Sequence, residues 1–106
     1  FIKPGVRCGD VHALIQDNIS NKLGINKSPV RAGYSIGIAF APDWGEGQII
    51  SFYMDDPRIL EPGMTFHLIP AVKIPEHGVF TTSDTIVVND SGCETLTDFP
   101  RKLYVQ

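Results

Sequence analysis

The sequence predicts an α+β fold, one N-terminal helix packed on an antiparallel sheet. Three observations predict it. One stretch near the start repeats its apolar residues at helical spacing. Everything after it is short β-forming runs cut by Pro, Gly and Asp. No repeat, linker or low-complexity segment divides the 106 residues, which suit one domain or a piece of a larger one.

The helix is expected over residues 10–23. Asp10 reads as its N-cap, and Val11, Leu14, Ile15, Ile19 and Leu23 form one stripe. Gly24 stands where a left-handed residue ends a helix. Residues 34–40 read as a strand, and residues 48–53 as a weaker extended segment. Asp55-Asp56-Pro57 and Glu61-Pro62-Gly63 are turns. Residues 64–73 read as one strand, with Pro70 implying an edge or a bulge. The β-branched run over 79–89 ends in a hairpin turn, Asp90-Ser91-Gly92, and residues 93–96 return as its partner.

Composition narrows the function classes. Hydrophobic residues make up 42% and charged residues 20%, too apolar for a disordered tail. A net charge of −3 without a basic run argues against nucleic acid, which needs clustered cations. No apolar stretch approaches the ~20 residues that span a bilayer, and the first residues carry no signal-peptide pattern. Cys8 and Cys93 lie far apart without metal-ligand spacing. The reading is a cytoplasmic protein with two thiols, although one disulfide is compatible with the sequence.

Few residues invite chemistry. His12 lies within the predicted helix without a histidine at i+4 and reads as solvated or half-buried. His77 belongs to a turn. His67 differs, because alternation puts it on one face with Thr65 and Ile69, and a ring on an apolar strand needs a partner or a wet cavity. No pair of these residues has the spacing of a structural zinc site. Gly33-Tyr34-Ser35-Ile36-Gly37 matches a nucleophile elbow superficially, but the residues after it cannot open a helix. Asp84 sits in an apolar run, where a carboxylate needs donors around it. Glu46 lies beside Trp44, the only tryptophan, in a glycine-rich loop suited either to a substrate rim or to a packed anchor.

Taken in order, several segments resemble the creatinase/aminopeptidase P family, the pita-bread hydrolases. They are Gly5-Val6-Arg7-Cys8-Gly9-Asp10-Val11, Arg31-Ala32-Gly33-Tyr34-Ser35-Ile36-Gly37, Leu60-Glu61-Pro62-Gly63-Met64-Thr65-Phe66, Ser83-Asp84-Thr85-Ile86-Val87-Val88 and Thr95-Leu96-Thr97-Asp98-Phe99-Pro100. Their order and spacing are similar to the C-terminal half of that catalytic domain, so residues 1–106 are expected to be part of a longer chain. Pro42-Asp43-Trp44-Gly45-Glu46 and Met64-Thr65-Phe66-His67-Leu68 resemble the ectoine hydrolase-like branch.

The resemblance implies more. Metal-dependent members of the family bind two divalent ions through two Asp, one His and two Glu. Both Asp would lie upstream of Phe1. At the other three places this chain has Tyr34, Ile69 and Ser83, with Asp84 retained beside the last. A phenol, an alkyl group and a hydroxyl cannot replace imidazole and carboxylate donors, so the expectation is no metal and no cofactor. What the resemblance then implies is C–N hydrolysis of a small amide, amidine or cyclic compatible solute. His67, Asp84 and Glu46 would be the catalytic groups, and Tyr34 and Trp44 would contact substrate. The chain alone would be inactive and would self-associate, as a homodimer, through its exposed half-site. Two other readings stand beside this one: a metal-dependent Xaa-Pro aminopeptidase or dipeptidase with its ligands displaced in register, and a binding module that lost catalysis.

Overall fold

The computed structural model describes residues 1–38, 48–102 and 104. Helix α1 spans Cys8–Leu23 and therefore starts before the predicted position. Asp10 is not its N-cap; Arg7 holds that place and makes no side-chain cap. The reason lies across the fold. The Cys8 and Gly9 N–H groups donate to the backbone carbonyls of Arg58 and Asp56, at 2.8 and 2.9 Å. Tertiary backbone thus satisfies donors that a side chain would otherwise cap. Asp10 is left in the first turn, paired with Arg7. At the other end Gly24 adopts φ 65°, the left-handed stop that the sequence implied.

The buried stripe of α1 is rotated from the expected one. Cys8, Val11, His12 and Gln16 are buried, whereas Leu14 and Leu23 stay 38% and 52% exposed. His12, expected to be solvated or half-buried, is instead inside, its Nε2 3.2 Å from the Val30 carbonyl oxygen. Gln16 accepts a hydrogen bond from the Ser28 N–H. Two polar side chains therefore hold the incoming segment 28–30 against the helix.

Seven strands follow among the described residues: β1 Gly33–Ser35, β2 Ser51–Phe52, β3 Thr65–Leu68, β4 Ala71–Ile74, β5 Gly78–Thr81, β6 Asp84–Val88 and β7 Cys93–Thr95. Five form an antiparallel sheet in the order β2-β1-β3-β6-β7, and β4-β5 is a separate hairpin. The single strand expected over 64–73 is two. Pro70 lacks the N–H that would continue the ladder, so the chain leaves the main sheet there, makes β4-β5, and returns as β6 beside β3. The same excursion divides the run over 79–89. The expected hairpin joins β6 to β7, with the Asn89 side chain accepting from the Ser91 and Gly92 N–H groups.

One face of the sheet is packed against α1. Phe52 and Phe66 stack there with ring centroids 4.4 Å apart, and Cys8, Val11, Leu60, Ile86 and Val88 close around them. Each aromatic removed from water contributes roughly 1.5–3 kcal/mol. Both cysteines are free thiols, Cys8 buried and Cys93 exposed.

Candidate functional site

Strand register decides which side chains meet. Tyr34 on β1 stands opposite His67 on β3, and His67 stands opposite Thr85 on β6. Directly opposed residues project to the same face, so these three form a row across the sheet. Their neighbours in alternation, Phe66 and Ile86, belong to the core, which puts the row on the face away from α1. Tyr34, His67 and Thr85 are all half-buried.

Within that row, His67 Nδ1 and the Tyr34 hydroxyl oxygen share a 2.8 Å hydrogen bond. The rings meet edge to face, with centroids 5.1 Å apart. A phenol both donates and accepts, so the bond survives either protonation state of the imidazole. The Arg31 guanidinium carbon lies 4.6 Å from the Tyr34 ring centroid, within cation–π range. Gly33 makes the close approach possible. A Cβ there would fall 2.8 Å from both the His67 carbonyl oxygen and the Phe52 ring, closer than atoms tolerate.

The sequence-based candidates divide between the faces. Ile69 continues β3, its N–H donating to the Ala32 carbonyl at 2.8 Å, so alternation keeps it on the His67 face. Asp84 does not join His67. It pairs in register with Leu68, so its side chain leaves the sheet on the α1 side, where it is ion-paired with Arg101 at 3.0 Å. His67 and Asp84, both expected as catalytic groups, therefore leave the sheet on opposite faces, because the two are one step out of phase in alternation. Ser83, one residue before β6, is exposed and borders a groove between α1 and the chain end. Trp44 and Glu46 lie outside the described residues. Thr85, which stands opposite His67, and Arg31, which lies over the Tyr34 ring, were not among the sequence-based candidates. Thr85 could have been found from its two-residue step before Val87, and Arg31 from its place in the Arg31-Ala32-Gly33-Tyr34 segment.

No group of three His, Cys, Asp or Glu side chains that could hold a metal ion occurs among the described residues. The phenol of Tyr34, the alkyl of Ile69 and the hydroxyl of Ser83 are not the donors of a hard divalent centre. The described part of this chain does not fit such a metal.

A helix packed on one face of an antiparallel sheet is the layering of part of a pita-bread hydrolase. The chain belongs to the family described as Metallopeptidase family M24, whose profile matches residues 1–90. It is 44% identical over 104 residues to the ectoine hydrolase of Halomonas elongata, covering 98% of this chain and 25% of that protein. It is 29% identical to the creatinase of Bacillus sp. strain B-0618, with 94% and 25% covered. The Xaa-Pro dipeptidase from Bacillus anthracis superposes with a TM-score of 0.81 at 28% identity, covering 96% of this chain and 27% of that one. The chain thus spans about a quarter of the length of the curated relatives it matches. No helix among the described residues is long and apolar enough to cross a membrane.

Proposed function

We propose that this chain forms part of the catalytic domain of a metal-independent C–N hydrolase acting on a small amide or cyclic compatible solute. The observation that carries the reading is the 2.8 Å bond between His67 Nδ1 and the Tyr34 hydroxyl on the sheet face away from α1. Holding Nδ1 through the phenol directs Nε2 to a reacting group. In hydrolysis His67 takes a proton from the attacking water and returns it to the departing nitrogen, so a C–O bond forms as the C–N bond breaks. Tyr34 orients the imidazole and stabilises its charged form. Thr85, next in the row, adds a hydroxyl for substrate. Metal independence is supported by the chemistry of Tyr34, Ile69 and Ser83, and the substrate class by 44% identity to an ectoine hydrolase.

The test uses the full-length protein, freed of metal with a chelator and assayed on ectoine, creatine and alanylproline. Hydrolysis of ectoine or creatine, unchanged by chelation or by added manganese, is the expected result. Turnover of alanylproline that requires manganese overturns the reading in favour of a metal-dependent dipeptidase. Calorimetric binding without turnover of any of the three points to a binding module.

A further inference from the structure

We propose that Arg31 is the carboxylate-recognising residue of the Tyr34–His67 site, so that the site takes an anionic or zwitterionic substrate. The inference deepens the function proposed above and rests on it. The chain has four arginines, and three of them are paired with a carboxylate: Arg7 with Asp10, Arg58 with Asp56 and Arg101 with Asp84. Arg31 has no such partner among the described residues and lies instead over the Tyr34 ring, 4.6 Å from its centroid.

That position is informative. A guanidinium held over an aromatic face by cation–π attraction spends none of its N–H donors on a carboxylate of the protein, and its planar fork matches a carboxylate in two parallel bonds. The cation–π attraction biases the long side chain toward one arrangement. The same phenol holds His67. Arg31, Tyr34 and His67 therefore form one continuous series, with a fixed positive charge at one end and an acid–base group at the other. A substrate whose carboxylate docks on Arg31 presents its adjoining C–N bond toward His67. Lys3, Lys22, Lys27, Lys73 and Lys102, the other lysine and arginine cations, make no hydrogen bond or cation–π contact with Tyr34 or His67 among the described residues.

Calorimetric titration of the full-length protein and of Arg31→Met and Arg31→Lys tests this with two matched pairs, ectoine against ectoine methyl ester and alanylproline against alanylprolinamide. The expected wild-type result is at least tenfold tighter binding of the free acid in one pair. Arg31→Met abolishes that preference while leaving affinity for the neutral analogue within about threefold, and Arg31→Lys retains part of it. Equal affinity for acid and neutral analogue in both pairs, or a preference that persists in Arg31→Met, overturns the assignment. Turnover is read separately. A wild type that binds ectoine through Arg31 but does not hydrolyse it fails the hydrolase reading alone, and hydrolysis with an undiminished acid preference in Arg31→Met fails only the Arg31 assignment.

Discussion

The Tyr34 hydroxyl and His67 Nδ1 are 2.8 Å apart because β1 and β3 pair in a register that sets the two residues directly opposite each other. A shift by one residue would send either ring into the core. The phenol can donate to the neutral imidazole and accept from the imidazolium, so the pair suits a proton-transfer group whose charge changes during the reaction.

Under the proposed function, this relationship sets the behaviour of three variants of the full-length protein in steady-state kinetics. His67→Gln lowers kcat by roughly 10²–10⁴-fold, the range for losing a general acid–base group. Tyr34→Phe keeps the ring beneath Arg31 but removes the hydrogen bond, and its loss is smaller. The double variant is no worse than His67→Gln alone, because Tyr34 acts through the imidazole. Fully multiplicative losses would show that Tyr34 and His67 act separately.

Gly33 supplies the second prediction. Its Cβ position is 2.8 Å from the His67 carbonyl oxygen and from Phe52, a backbone atom on one side and a packed core ring on the other. Neither can move cheaply. Gly33→Ala should cost about 1–3 kcal/mol in stability, in the range for overpacking, measured by denaturant unfolding of the full-length protein. It should also lower activity, since relief comes by moving β1 away from β3. Wild-type stability in Gly33→Ala would mean the strands do not approach this closely.

Much of the layering was legible in the sequence. Helical spacing after Gly9, the stop at Gly24 and the β6-β7 turn are local signals. The stop and the turn appear where the pattern put them, and the helix does so apart from its earlier start and rotated buried stripe. What the sequence did not disclose depends on distant partners. Asp10 looked like a cap because nothing local shows that the Asp56 and Arg58 carbonyls reach the first helical N–H groups. His12 looked solvated because its acceptor, the Val30 carbonyl, is 18 residues away. The site was half legible. His67 stood out as a ring on an apolar strand, but its partner across the sheet is a matter of register, and register also set Asp84 on the other face.

The two thiols should differ sharply in reactivity. Cys8 is fully buried at the start of α1, and burial, with the Asp56 carboxylate adding to it, pushes its thiol up to about 11. At pH 8 very little of it is thiolate, and thiolate is the reactive form. Cys93 is exposed on β7. Iodoacetamide followed by peptide mapping of the native protein should modify Cys93 and spare Cys8, with Cys8 labelled only after unfolding. Equal labelling of both in the native state would contradict the packing around Cys8.

Asp56 sets the acid limit of the segment that holds the start of α1. Its nearly buried carboxylate accepts from the Arg58 guanidinium and from the Arg58 N–H, and the guanidinium holds its pKa below the ordinary 3.8. The carbonyls of the same two residues receive the Gly9 and Cys8 N–H groups, so this ion pair fixes the loop that caps the helix. The sign follows from the depressed value. The unfolded chain binds the proton more readily, so the stabilisation is fully present above the unfolded pKa and disappears as pH falls through the lower folded one. Asp56→Asn removes charge and guanidinium pairing while keeping the size. With the Arg58 side chain 41% exposed and therefore partly screened, the loss should be about 1–2 kcal/mol. Thermal melts of the full-length wild type and Asp56→Asn should differ by a constant amount from pH 5 to pH 8. Below pH 4 the difference should shrink steadily as the wild-type carboxylate is protonated. A difference that stays constant into that acid range would mean Asp56 stabilises the loop by packing alone.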